Sequence, residues 1–177
     1  MTTAETTTFA DLGLADEIVA VLSARGITHP FPVQALTIPD ALAGRDVCGK
    51  AKTGSGKTLA FGLPVLQKMT KAKPCKPTGL VLVPTRELAN QVCDELTPAA
   101  EAVSRTTLAI YGGAPIEKQI ETLKKGVDLV VATPGRMSDL IERKEISVSQ
   151  VAHVVIDEAD RMADMGFLPQ VEWILRN

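Results

Sequence analysis

Apolar positions along the chain follow two alternating patterns. Ala15 to Ala24 carries Ile18, Val19 and Leu22 at helical spacing, and Gly26 follows where a helix takes its C-terminal left-handed residue. Pro30 and Pro32 predict an extended segment after it. Beyond that point, short β-branched runs end in Gly, Pro, Thr or Asp, and each leads into a helical stretch. The runs are 46–48 (Asp-Val-Cys), 79–83, 107–111, 128–132 and 151–156, and helices are expected to start near Gly56, Arg86, Pro115 and Pro134. These apolar runs are continuous rather than alternating, the pattern of strands buried on both faces. Their βαβα order predicts an α/β fold, a parallel β-sheet with helices on both faces. Ligands of such sheets gather at the C-terminal strand ends, so the residues just after each run are the candidates for chemistry.

Composition narrows the classes. A chain of 177 residues fits one domain with its own core. With aromatics at 3%, that core must rest on Val, Ile, Leu and Ala. A net charge of −2 and a pI near 5.7 exclude a protein that coats nucleic acid through bulk charge. Any such contact must be local. Cys48, Cys75 and Cys93 match neither a disulfide framework nor a metal-binding spacing, and read as free thiols in a reducing cytosol. No apolar run reaches the roughly 18 residues of a membrane span. Residues 1–8 are Thr-rich, lack a signal-peptide pattern and are expected to form a disordered tail ahead of a domain at 9–177.

The segment after the first run, Ala51-Lys52-Thr53-Gly54-Ser55-Gly56-Lys57-Thr58, is a Walker A loop with Ala51 where the first glycine is usual. Gly54 and Gly56 let backbone N–H groups turn onto phosphate oxygens, with Thr53 and Ser55 between them, and the helix that follows adds its positive end. Lys57 supplies charge to the β- and γ-phosphates and Thr58 a hydroxyl to Mg²⁺. About 100 residues later, Val154-Val155-Ile156 ends in Asp157 and Glu158, two acids in an apolar context. A metal–nucleotide site explains both: Asp157 to hold Mg²⁺, Glu158 to orient or deprotonate the attacking water.

Asp157-Glu158-Ala159-Asp160 spells D-E-A-D, and from here the chain resembles the DEAD-box ATP-dependent RNA helicases over nearly all its length. Gly26 to Gln34 (GITHPFPVQ) resembles the family's Q motif, which implies adenine recognition by Gln34. Ile27 and Phe31 depart from that motif, standing where an aromatic and a Thr or Ser are usual. Phe9, 17 residues before Gly26, matches the aromatic that packs on the base. Pro84-Thr85-Arg86-Glu87-Leu88, Gly112-Gly113 and Thr133-Pro134-Gly135-Arg136 match the family's RNA-binding elements. Arg161 to Phe167 continues the pattern after DEAD, and Asp160 is implied in coupling between motifs or domains. The resemblance implies a RecA-like P-loop NTPase fold, ATP and Mg²⁺ as cofactors, RNA as partner and a monomeric, cytoplasmic protein. It also implies a Ser-Ala-Thr element and a second RecA-like domain, neither found before Asn177, so the domain is expected to be truncated before its last strands.

Thr85 and Thr133 can act as N-caps, with Pro134 preset at the first helical position. Helix punctuation alone explains those residues. The functional reading uses the same geometry, since small residues at a helix start let a phosphate reach backbone N–H groups, with Arg86 and Arg136 adding charge-assisted bonds. Such contacts read backbone and 2′-OH rather than base order. His29, His153, Tyr111 and Trp173 read as structural, and Lys124-Lys125 as a solvated helix end. Two other classes fit part of the pattern: a P-loop DNA translocase, and a non-catalytic clamp that uses ATP as a switch.

Overall fold

The computed structural model describes residues 7–52 and 54–177. Thr53 and most of the expected tail, residues 1–6, lie outside the described residues. Thr8 donates its N–H and hydroxyl to Asp11 Oδ2 at 2.8 and 2.7 Å. The chain divides into two compact units, one holding the described residues up to Lys68 with Glu95–Ser104, the other Met69–Asp94 with Arg105–Asn177.

The first unit contains helices α1 (Asp16–Ala24), α2 (Pro32–Leu42) and α3 (Lys57–Lys68), with the closing turns of α4 (Arg86–Ala102). The spacing of Ile18 and Leu22 is realised as the buried stripe of α1, and Gly26 follows its C-cap Arg25 at φ +75°. The extended segment expected at the two prolines stops at Phe31. Pro32 instead opens α2, because a proline at the first helical position loses no hydrogen bond and has its φ preset. Helices α2 and α3 pack together around Ile38, Leu59, Leu63 and Leu66, all at most 3% exposed. Gly62 faces Leu96 so closely that a Cβ there would lie 2.3 Å from Leu96 Cδ2. Gly62→Ala is therefore expected to lower stability by about 1–3 kcal/mol through overpacking, read as the denaturation midpoint. An unchanged midpoint would show that Leu96 yields freely.

The second unit is built on a parallel sheet of β1 (Gly79–Leu82), β2 (Thr107–Ile110), β3 (Leu129–Ala132) and β4 (His153–Ile156), in the order β2-β3-β1-β4. Four of the five expected runs are strands. The run at 46–48 is not, and Val47 is 43% exposed: three residues with a single β-branched side chain between Gly44-Arg45 and Gly49-Lys50 bury too little to hold a ladder. β1 and β3 are buried along their whole length, as continuous apolar runs require. On one face, Leu80, Leu82, Val130 and Ala132 pack with Leu123 of α5 (Ile116–Lys124), Met137 and Leu140 of α6 (Pro134–Glu142), Met162 of α7 (Ala159–Asp164), and Val171 and Ile174 of α8 (Leu168–Arg176). β4 departs from expectation. It is the sheet's last strand, and Val154 and Ile156 are 44% and 40% exposed rather than buried on both faces.

At the sheet's N-terminal edge, Asp128 is fully buried. Its carboxylate accepts from Ala72 N, Thr106 N and Thr106 Oγ1 at 2.6, 2.8 and 3.0 Å, and pairs with Lys71 Nζ at 3.0 Å. One side chain thus joins the 70–78 loop to the approaches of β2 and β3.

Candidate functional site

The site's residues are placed by where strands end and helices begin. In the first unit, the Walker loop leads into α3 at Lys57. Gly54 and Gly56 stand at φ +79° and +81°, where an L side chain is strained, so the loop can fold back over its own N–H groups only with glycine there. Gly56 is further confined. A Cβ on it would lie 2.4 Å from Gln34 Nε2 and 2.6 Å from Phe31 Cδ2. The Ser55 hydroxyl in the same loop is buried with no hydrogen-bond partner among the described residues. A glycine-lined loop at a helix start with an unsatisfied hydroxyl is a donor set suited to phosphate.

Gln34 is 1% exposed and ties this loop to α2. Its Nε2 donates to Gly56 O at 3.0 Å, and its Oε1 accepts from Phe31 N at 2.8 Å. One N–H and one lone pair of the amide remain, the complement of an adenine edge. Beside it lies a cavity of about 340 Å³, walled by Gly26 to His29, Phe31, Gln34, Gly56, Leu59 and Glu95. Both residues that departed from the motif, Ile27 and Phe31, therefore line the cavity. So does His29, read from sequence as structural, with Nδ1 3.0 Å from the Thr28 hydroxyl. Phe9 does not. It is 1% exposed and counts among the buried apolar residues of the unit. Phe31, 55% exposed, is the aromatic on the cavity wall.

In the second unit, the remaining candidates follow the C-terminal ends of the four parallel strands. Pro84, Thr85 and Arg86 follow β1; Gly112 and Gly113 follow β2; Thr133 to Arg136 follow β3; Asp157 to Asp160 follow β4. With strands ordered β2-β3-β1-β4, these four loops are neighbours along one edge. Thr85 caps α4, its Oγ1 accepting from Leu88 N at 3.3 Å. Thr133 occupies the N-cap of α6, but its hydroxyl makes no cap bond, so that helix start is not closed by its own side chain. Arg86 is exposed and pairs with Glu87 at 2.8 Å, which holds the Glu87 carboxyl below its usual range. Arg136 is held more firmly, to Ala114 O and to Gln119, a buried residue of α5 that no motif pointed to.

Asp157 continues the ladder through its N–H to Leu82 O at 3.0 Å, and its Oδ1 accepts from Glu158 N at 3.0 Å. Glu158 sits at φ 50°, ψ 48°. That left-handed geometry is unusual for a glutamate and is of the kind found where function over-determines the backbone. Its carboxylate pairs with Arg161 at 3.2 Å. Asp160 is exposed, and its Oδ1 accepts from Arg161 N at 3.0 Å. Cys93 is buried, and burial, then the nearby Asp94, pushes its thiol up to about 12, so it is inert. Among the described residues, no helix is long and apolar enough to cross a membrane and no group of three or more His, Cys, Asp or Glu could hold a metal ion.

The chain is similar to known proteins over most of its length. The sequence pattern of the DEAD/DEAH box helicases matches residues 31–177. The chain is 46% identical over 172 residues to "DEAD-box ATP-dependent RNA helicase 9, mitochondrial" of Arabidopsis thaliana, covering 94% of this chain and 28% of that protein. It is 47% identical over 169 residues to the helicase CshA of Bacillus cereus, covering 96% of this chain and 32% of that protein. A crystal structure of the RNA helicase Prp28 from Chaetomium thermophilum bound to ADP superposes with a TM-score of 0.89 at 40% identity, over 96% of this chain and 43% of that one. The chain thus spans about a third of the length of these sequence relatives or less.

Proposed function

Because the chain belongs to the DEAD/DEAH box helicase family, we propose that it is the nucleotide-binding, N-terminal RecA-like part of an ATP-dependent RNA helicase. The observation that supports this best is Gln34, whose buried amide joins the cavity wall to Gly56 of the phosphate loop. One residue thereby ties recognition of a base to the shape of the loop that would hold its phosphates. The residues fit ATP with Mg²⁺. The cavity takes the base against Phe31 and Ile27, and Lys57 and the 54–56 backbone hold phosphate oxygens; the Thr58 hydroxyl and, separately, the Asp157 carboxylate are oxygen donors of the kind Mg²⁺ takes. When bound, the nucleotide supplies the γ-phosphoryl group for transfer to water. Glu158 orients that water and accepts its proton. Asp160 couples this end of β4 to the RNA elements.

Single-stranded RNA lies along the C-terminal edge of the sheet. Pro84, Thr85, Arg86, Gly112, Gly113 and Thr133 to Arg136 meet its sugar–phosphate backbone without reading sequence. Few charges are needed, which reconciles RNA binding with a net charge of −2. A second RecA-like domain, outside these 177 residues, completes the catalytic arginines and the RNA track. Arginine fingers contribute about 10³-fold or more in rate, so this chain alone is expected to bind nucleotide as a monomer and turn it over very slowly. Its three cysteines form no disulfide with one another, which suits a reducing cytoplasm.

Steady-state ATP hydrolysis, measured alone and with single-stranded RNA or DNA beside Lys57→Ala, tests this reading. Nucleotide bound by the wild type and lost in Lys57→Ala, with turnover near zero throughout, is the expected outcome. Equal binding by both proteins would remove the phosphate-loop assignment. Strong turnover that RNA stimulates and Lys57→Ala abolishes would mean the chain completes its own active site. A further expectation concerns the cavity: base–aromatic stacking is worth about 1–3 kcal/mol, so Phe31→Ala should weaken ATP binding by about 10-fold. Tripolyphosphate binding should not change, and equal losses for both ligands would place Phe31 outside base recognition.

A further inference from the structure

Gln119 lies in the middle of α5, outside every motif, and is 7% exposed. Both ends of its amide are engaged. Nε2 donates to Tyr111 O at 3.1 Å, and Oε1 accepts from Arg136 Nη1 at 3.1 Å. Arg136 also donates from Nη1 and Nη2 to Ala114 O at 3.2 and 3.3 Å. The turn at 111–114, which holds Gly112 and Gly113, and the start of α6 are thereby joined through one buried amide.

The five N–H groups of a guanidinium lie in one plane, so its remaining capacity can be counted. Nη1 spends both hydrogens, on Ala114 O and on Gln119. Nη2 spends one, on Ala114 O. The Nε–H and the second Nη2–H remain, side by side on one edge of the plane, and neither has a partner among the described residues. That edge is the two-pronged donor that matches two oxygens of a phosphate. The other edge is fixed by protein, so the donor pair is held in one orientation before any ligand arrives, which removes part of the ordering cost of binding.

We propose that Gln119 is a positioning residue of the RNA edge: it pins the Arg136 guanidinium so that its Nε–Nη2 side meets one backbone phosphate of single-stranded RNA beside the 111–114 turn. This rests on the RNA reading above. A plain staple of the turn would need the same bonds but would leave the ionic part of RNA binding untouched, and salt dependence separates the two.

The test is binding of a fluorescein-labelled oligouridylate to the 177-residue chain, from low to physiological salt. Neutralising one phosphate fewer on a single strand lowers the log–log salt slope by about 0.7. Gln119→Leu is expected to bind about 10-fold more weakly at low salt and to lose about 0.7 of slope, with ATP affinity unchanged. Arg136→Ala should lose the same slope, and adding Gln119→Leu to it should lose no more, since one residue acts through the other. Gln119→Glu keeps the acceptor for Arg136 and should keep the wild-type slope. Gln119→Ala removes the same two bonds and takes the place of the leucine variant if that does not fold. An unchanged slope in Gln119→Leu, or a further loss on top of Arg136→Ala, overturns the inference while leaving the RNA reading intact. Absence of RNA binding by the wild type overturns both.

Discussion

Gly56→Ala is expected to weaken nucleotide binding by about 100-fold. Two effects add. At φ +81° an L side chain costs about 1–2 kcal/mol in the left-handed region. The new Cβ would also stand 2.4 Å from Gln34 Nε2 and 2.6 Å from Phe31 Cδ2. Gln34 cannot simply swing away, because it is buried and bonded at both ends of its amide. Either the loop flattens and loses its N–H cradle, or Gln34 gives up Gly56 O and Phe31 N, at about 1 kcal/mol per bond. The sum of about 3 kcal/mol corresponds to roughly 100-fold in affinity. Titration with a fluorescent ATP analogue reads it, and a loss smaller than tenfold would mean that the loop does not need its present shape to hold phosphate. Gly54, at φ +79° with nothing within 4 Å of its absent Cβ, is the control. Gly54→Ala should show the conformational part of the effect without the steric part.

The largest effect on stability is expected at Asp128. Burial by itself raises the pKa of this carboxyl, but the bonds from Ala72 N, Lys71 and Thr106 outweigh burial and hold it below the ordinary 3.8. Asp128→Ala leaves the N–H groups of Ala72 and Thr106 without their acceptor, at about 1–3 kcal/mol for each buried donor. A loss of about 3–5 kcal/mol follows, which for a chain of this size lowers the melting temperature by about 10 °C. Since the folded pKa lies below the unfolded one, the ionised carboxylate adds stability that is full above the unfolded value and drains away as pH falls below 3.8 towards the folded value. The stability gap between wild type and Asp128→Asn should therefore be widest near neutral pH and narrow progressively below pH 3.8. A gap independent of pH would show that the carboxylate's charge contributes nothing.

How much of this was legible depended on whether the information was contiguous. The runs at 79–83 and 128–132 carry enough Val and Leu to be strands in any context, and they are. The run at 46–48 had one β-branched residue and did not form a strand. Pro32 shows a different failure: proline excludes a helix interior but favours a helix start, and position alone cannot separate them until the next turn is seen. Gln119 did leave a signal. On α5, Ile116, Ile120 and Leu123 form the apolar stripe, and Gln119 falls within it at i+3. A polar residue at a core position must find partners, which a reading of motifs alone passes over.

By itself, then, the sequence determined the patterns that live in consecutive residues: a Walker A pattern at 51–58, two acids closing an apolar strand at 157 and 158, and helix starts after β1 and β3. Those features follow from backbone propensity and side-chain type over a few residues, which contiguous sequence contains. Tertiary structure decided that Phe31 lines the cavity; that Gln34 braces Gly56 and Phe31 through both ends of its amide; that β4 lies at the edge; and that Arg136 is bonded along one side of its guanidinium only. Each of these depends on atoms that are distant in sequence, 17 residues apart for Arg136 and Gln119, 22 for Gln34 and Gly56, and 74 for the paired strands β1 and β4. Burial and hydrogen-bond saturation are properties of the packed chain, so they exist only once those distances close.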